Sequence, residues 1–248
     1  LTASVAVADV SISASSEMKY KSRTSEVAAT NGTTTTSDSE VVFKFSNKTD
    51  SGLTVGYVAE LTAGGTGTDG TFDESSFSIA GGFGKVVLGE NDGVGDNFGI
   101  SAVDLIAEEN LDKVTSARIS TNADIVQGDG DNTKISYFMP AMGGLTAGIS
   151  SYEAGQAAGD TTTIGAAYAM DIGGNSVTLG GASTSTPVAN AKNTESNNIG
   201  LKVVSGNLKM TVSRATYEAV DEDRDANGFA ASYTLANGVT VGAYMVNS

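Results

Sequence analysis

The chain has 248 residues, with 14 Lys plus Arg against 29 Asp plus Glu, a formal charge of −15, and no His, Cys or Trp. Those absences remove disulfides, thiol chemistry, Cys/His zinc sites and every nucleophilic mechanism that relies on a histidine base. The negative charge speaks against a nucleic-acid partner, which needs a basic face, and against anionic headgroups. Gly (31), Ser (28) and Thr (28) supply about a third of the chain, while the hydrophobic (40%) and charged (17%) fractions are both low. A disordered chain would be rich in charge and proline; this one has two prolines. The composition suits a Thr/Ser-rich extracellular β protein or a barrel with a wet interior.

Residues 1–8 are small and apolar and end Ala6-Val7-Ala8. That is the pattern before a signal-peptidase cut, so residues 1–8 are expected to be the remnant of a signal peptide, with Asp9 the first mature residue. No window reaches 18 consecutive apolar residues, so no transmembrane helix is expected.

From Val10 onward the hydrophobic period is two. Val10, Ile12, Ala14, Met18 and Tyr20 alternate with Ser11, Ser13, Ser15, Glu17, Lys19, Lys21 and Arg23. The alternation returns around Val41-Phe43-Phe45, Leu53-Val55-Tyr57, Ile164-Ala166-Tyr168, Ile199-Leu201-Val203, Phe229-Ala231-Tyr233 and Val239-Val241-Ala243. It predicts about 13 strands of roughly 8–12 residues, a length that suits tilted strands crossing a bilayer. The connections alternate. Short ones are expected at 47–52, 81–84, 140–144, 171–175, 205–207 and 235–238, and longer polar ones at 24–39, 63–73, 90–132, 153–160, 185–195 and 218–224. A meander then gathers the short turns at one end and the long loops at the other, as in outer-membrane barrels. Gly52-Leu-Thr-Val-Gly56, Gly144-Leu-Thr-Ala-Gly148 and Gly238-Val-Thr-Val-Gly242 form a weak repeat, each opening a strand after a short turn.

A closed barrel of 13 or more strands is too wide for side chains to fill, since about eight strands is the filled case. Its polar face therefore belongs inside, against water, and its apolar face outside, against lipid. The fold class expected is an all-β, antiparallel, up-and-down transmembrane β-barrel.

Phe77-Ser-Ile-Ala-Gly-Gly-Phe83-Gly84-Lys85-Val-Val-Leu-Gly89 resembles the strand–turn–strand segment that leads into the constriction loop of Gram-negative general porins, above all the alphaproteobacterial ones. Asp9-Val-Ser-Ile-Ser-Ala-Ser resembles their mature start, and the rhythm of strands and loops is similar along the whole chain. The resemblance implies a homotrimer of 16-stranded barrels in the bacterial outer membrane, with aqueous pores for ions and small hydrophilic solutes and a third long loop folded inward. Here that loop is 90–132, with ten acids against Lys113 and Arg118, a local charge of −8. Its acids Glu90, Asp92, Asp96, Asp104, Glu108, Glu109 and Asp112 would line the constriction, and Lys19, Lys21, Arg23 and Lys44 the basic wall. Acidic excess then implies a mild cation preference.

Three features depart from the family. The sequence ends after about 13 strands, so it is expected to be a porin barrel over 9–248 that lacks about three strands of an even-numbered closure. With no Trp, an interfacial girdle must rest on residues such as Tyr57, Phe77, Tyr137, Tyr168 and Tyr233. Arg214 shares the apolar parity of Leu208, Met210 and Val212, so either the strand has left the membrane there or a bulge shifts its register.

Other motifs are weaker. Gly64-Gly-Thr-Gly-Thr-Asp-Gly70 matches a calcium β-roll unit but occurs once and cannot stack. Asp129 and Asp131 are weak calcium candidates within the acidic loop, without the glutamate of an EF-hand; no other cofactor is expected. No carboxylate pair stands out as glycosidase machinery, so no enzyme is expected. The alternative to a channel is a secreted or surface-attached β protein, an adhesin or lattice component, which would stay soluble without detergent.

Overall fold

A computed structural model describes residues 9–23, 32–64, 71–102, 105, 132–153 and 159–247. Thirteen strands and one short helix are formed among them: β1 (Asp9–Arg23), β2 (Gly32–Lys48), β3 (Thr54–Gly64), β4 (Thr71–Gly81), β5 (Gly84–Glu90), α1 (Val94–Phe98), β6 (Thr133–Phe138), β7 (Leu145–Glu153), β8 (Asp160–Ile172), β9 (Asn175–Thr186), β10 (Thr194–Ser205), β11 (Leu208–Glu218), β12 (Asp223–Thr234) and β13 (Thr240–Asn247). Sheet order follows chain order from β1 to β13, an up-and-down meander. No described helix is long and apolar enough to cross a membrane, which says nothing of strands.

The chain divides into two compact units, Leu1–Gly81 with Val87–Asn91, and Gly82–Val86 with Asp92–Ser248. In the first, β1 pairs β2 through an unbroken register from Asp9↔Ser46 to Arg23↔Gly32. The expected long loop at 24–39 is therefore shorter. Residues 32–39 belong to β2, where the β-branched run Thr33 to Thr36 favours extended backbone. Cross-strand pairs Val10↔Phe45, Phe45↔Tyr57 and Tyr57↔Phe77 place the apolar residues on one face. Between β3 and β4 the register shifts at Glu60/Leu61, leaving Asp73 as the extra residue of a bulge that the alternation did not reveal.

The second unit is a sheet whose two faces are inverted relative to a soluble sandwich. On its strands the buried side chains are small or polar: Lys134, Ser136, Ser150, Thr161, Thr163, Thr184, Ser196, Thr211 and Ser232, with Ala182, Ala215, Ala226 and Ala230. Its large apolar side chains are exposed, among them Ile149, Ile164, Tyr168, Leu179, Ile199, Val212, Phe229 and Met245. Registers such as Leu179↔Tyr168, Leu201↔Val212 and Phe229↔Met245 put that apolar set on one open face. A sheet in water cannot hold such a face bare, whereas lipid is its natural solvent. The expected aromatics Tyr57, Phe77, Tyr137, Tyr168 and Tyr233 are all exposed, and each lies near a short turn of its own unit. Tyr137 Oη donates to the carbonyl of Phe83, tying its ring to such a turn at 2.7 Å.

Two of the repeated Gly-x-Thr-x-Gly segments share a turn. Gly52 N donates to Thr49 O and Thr49 N to Leu53 O; Gly238 N donates to Leu235 O and Leu235 N to Val239 O. Both glycines have φ +85°, the left-handed region that a bulged hairpin turn requires. The long/short alternation fails in two places: the connection 154–159, with six residues, is no longer than the short one at 139–144, and a second exception lies between β11 and β12. The connection 219–222 has four residues, no longer than several of the short turns, and is closed by Ala219 N donating to Glu222 O at 2.7 Å.

Candidate functional site

The long connection 90–132 begins by turning back over the second unit, whose face beneath it is hereafter the covered face. Its described part, 91–102 with Leu105, contains α1, where Val94 and Phe98 are buried. Five residues are too few for a self-supporting helix, so packing and hydrogen bonds to the sheet must hold it. Gly93 N donates to the Asp96 carboxylate, 3.3 Å, at the first turn of α1. Phe98 meets Phe138 at 6.1 Å between ring centroids.

From α1 the chain runs across successive strands, and three of them, β7, β10 and β11, supply hydrogen-bonding side chains. Val94 N donates to Ser150 Oγ on β7 at 3.3 Å. Ile100 N donates to Asn198 Oδ1 on β10 at 2.8 Å, and Asn198 Nδ2 donates back to Ile100 O at 3.0 Å. Ala102 N donates to Ser213 Oγ on β11 at 3.0 Å. These bonds satisfy backbone groups that have no ladder of their own.

Between those anchors the sheet is floored with glycine. A Cβ at Gly165 would lie 3.0 Å from Phe98 Cβ; at Gly180, 2.8 Å from Phe98 O; at Gly200, 2.5 Å from Ile100 O; at Gly228, 2.7 Å from Ala102 Cβ. Gly180↔Gly200, Gly200↔Ser213 and Ser213↔Gly228 are direct cross-strand pairs. The segment therefore lies in a groove of missing side chains that follows the hydrogen-bonding direction across β9 to β12. The alternation placed Gly165, Gly200 and Gly228 on the polar parity but did not connect them. The legible signal was a small residue at the same parity in consecutive strands.

Charge is sorted between the faces. On β6 to β13 the registers assign Lys134, Lys202, Lys209 and Arg224 to the covered parity, with Asp171 as its one acid, at a turn where it accepts from Gly174 N. Glu153, Asp160, Glu195, Glu218, Asp223 and Asp225 take the other parity, at the strand ends next to the longer connections. Arg214 joins them with an uninterrupted register and lies 3.6 Å from Asp225. No bulge shifts it. Its register partners are Ile199 on one side and Asn227 on the other, with Thr216 and Asp225 next along the strands, so it marks the edge of the apolar belt. Lys192, in the connection 187–193, donates to Glu218 at 2.7 Å, and that bond holds its ammonium pKa above the ordinary lysine value. Arg224 stacks 4.5 Å over the Tyr217 ring and lies 3.0 Å from Glu222. Lys202 and Lys209 have no ion-pair partner among the described residues.

Of the expected constriction acids, Glu90 ends β5, and Asp92 and Asp96 are exposed beside and on α1. Asp104, Glu108, Glu109 and Asp112 lie outside the described residues, as do the calcium candidates Asp129 and Asp131. Of the expected bases, Lys44 is exposed and pairs in register with Ser11 and Val58. Lys19, Lys21 and Arg23 belong to β1 by backbone, opposite Thr36, Thr34 and Gly32, and their side chains are outside the described set. Residues 1–8 and 65–70 are likewise outside it. Among the described residues, no group of acids could hold a metal ion.

A Gram-negative porin family model matches residues 1–248. No curated protein matches by sequence. Among solved structures, the chain is similar to an anion-selective porin from Comamonas acidovorans, at 20% identity and a TM-score of 0.63, over 97% of this chain and 78% of that one. It is similar to a loop-deletion mutant of OmpT, an outer membrane protein of Vibrio cholerae, at 14% identity and TM-score 0.64, over 96% and 82%. A mutant porin of Rh. blastica aligns at 12% identity and TM-score 0.55, over 96% and 94%.

Proposed function

Because the chain belongs to the Gram-negative porin family and is a β-barrel protein of the bacterial outer membrane, we propose that it forms a water-filled channel through which ions and small hydrophilic solutes diffuse passively. The single observation that carries this reading is the seat of the loop. The segment following β5 lies on the small, polar face of the sheet and is bonded to it through Ser150, Asn198 and Ser213, while the apolar face stays open. A polar face that carries an inward loop is a lumen wall, and the loop sets its width.

The mechanism is electrostatic filtering without catalysis. The loop bears the larger part of the acidic excess, −8 of −15, with Asp92 and Asp96 on its exposed side. Lys44 and the β1 bases would supply positive charge to the wall, and a homotrimer would follow from the family. Charged rings bias ion passage, so the acid-rich loop gives a mild cation preference. Lys202 and Lys209, which have no ion-pair partner among the described residues, reduce that preference.

Planar-bilayer recording tests the proposal. Stepwise conductance in KCl is expected, with a reversal potential in a salt gradient of the sign that indicates cations. Clear anion preference would overturn the selectivity assignment. A protein that stays soluble without detergent and yields no conductance would instead be a non-channel β protein of the cell surface.

A further inference from the structure

Beneath the anchored loop lies a small cleft that the diffusion mechanism does not use. It has a volume of about 90 Å³ and is lined by Gly99, Ile100, Ser101, Leu105, Lys202 and Thr211. At about 30 Å³ per water in the liquid, it has room for roughly three waters or one small organic ion. Its chemistry is divided. The loop contributes the apolar side chains of Ile100 and Leu105 together with Gly99 and Ser101, and the sheet contributes an ammonium and a hydroxyl.

Lys202 and Thr211 are direct cross-strand partners of β10 and β11, so their side chains rise side by side from the same face. Thr211 is only 2% exposed as a residue; its hydroxyl makes no hydrogen bond among the described residues and is not one of the buried atoms left without a partner, so it keeps accessible surface where the residue lines the cleft. Lys202 is exposed and has no counter-ion among the described residues, whereas Lys192, Arg214 and Arg224 each have an acid within 4 Å. Lys209, also without an acid, is a diagonal neighbour on the same face.

We propose that this cleft binds a small carboxylate with a short apolar tail. One carboxylate oxygen takes the Lys202 ammonium, the Thr211 hydroxyl donates to the carboxylate, and the tail packs against Ile100 and Leu105. Such a site holds an organic anion just below the narrowing made by the loop, so the channel would select among anions by tail length. The functional setting rests on the channel reading, but the site itself does not.

The test is propionate binding to the full chain folded in detergent, read by saturation-transfer NMR at fixed ionic strength. Propionate is expected to bind, with methyl and methylene contacts to the protein. Lys202→Met keeps the stem and should weaken binding about ten-fold or more, the scale of a lost charge-assisted bond. Thr211→Val, nearly isosteric, should weaken it several-fold. Propionamide should not bind, and inorganic phosphate should compete poorly because it cannot use the apolar wall. Binding unchanged in both variants, equal binding of propionamide, or equal competition by phosphate would each overturn the assignment. KCl conductance of the same preparation tests the channel reading separately, so a failure of one is not mistaken for a failure of the other.

Discussion

The side-chain amide of Asn198 and the backbone of Ile100 exchange two hydrogen bonds, of 2.8 and 3.0 Å, across 98 positions of sequence. In effect one side chain supplies both halves of a ladder step to a segment that crosses the strands and has no strand neighbour of its own. Asn is suited to this because its amide carries a donor and an acceptor together. Asn198→Leu removes both bonds, worth about 1 kcal/mol each net. The population of channels with a released loop should then rise about thirty-fold, at 1.4 kcal/mol per factor of ten. Single-channel records of the variant should show larger and noisier open levels. Asn198→Asp keeps the acceptor and loses the donor, and its behaviour should fall between. Wild-type records from Asn198→Leu would show that the anchor does not hold the loop.

Gly200 tests the same seat by shape. A methyl group there would come within 2.5 Å of Ile100 O and 2.6 Å of Ile100 Cβ and Cγ2, so the loop must lift. Overpacking of this kind costs about 1–3 kcal/mol. Gly200→Ala should therefore reproduce the noisy conductance of Asn198→Leu with every hydrogen-bonding group intact. Gly82→Ala is the control, since nothing lies within 4 Å of a Cβ there and its φ is not in the left-handed region. Equal conductance from Gly200→Ala and Gly82→Ala would mean that the groove does not seat the loop.

How far the sequence reaches depends on the range of the interaction. Period-two alternation is local, and it yields about thirteen strands and the apolar parity of Ile164, Ile199 and Val212. The extent of β2 is misread because Thr33 to Thr36 look like loop by polarity while their β-branching favours strand. The loop seat is beyond single-strand reading. Ser150, Asn198 and Ser213 are unremarkable polar residues until the registers bring them under one segment, and Lys202 gains meaning only beside Thr211. The expected acids were legible as composition, but a run of charge does not say which carboxylate points where.

Arg214 and Val212 are two residues apart on one strand and the same face, yet they sit in different surroundings. Val212 is 45% exposed among Leu201, Leu179 and Phe229, in the apolar belt. Arg214 lies at its edge, between Ile199 and Asn227, with Asp225 at 3.6 Å and both side chains more than half exposed. Val212→Arg should lower the stability of the bilayer-folded protein by about 2–4 kcal/mol if it lies near the midplane. Arg214→Leu should change it by no more than about 1 kcal/mol, as for an exposed ion pair. Urea titration in lipid vesicles, followed by the gel shift between folded and unfolded forms, measures both. A larger loss from Arg214→Leu than from Val212→Arg would place the belt edge elsewhere.

The shared turn of Thr49–Leu53 and Leu235–Val239 gives a matched pair of variants in the two units. Gly52 and Gly238 both hold φ +85° with nothing within 4 Å of a built Cβ, so backbone strain is the only penalty for a side chain. Alanine in the left-handed region costs about 1–2 kcal/mol. Gly52→Ala and Gly238→Ala should each destabilise the folded protein by about that amount in the same urea titration. Asparagine tolerates this region better, so Gly52→Asn and Gly238→Asn should recover part of the loss. Because the penalty is conformational and confined to a turn, single-channel conductance should not change in any of the four. A conductance change in these variants would mean that the turns communicate with the loop seat, against the local origin argued for their strain.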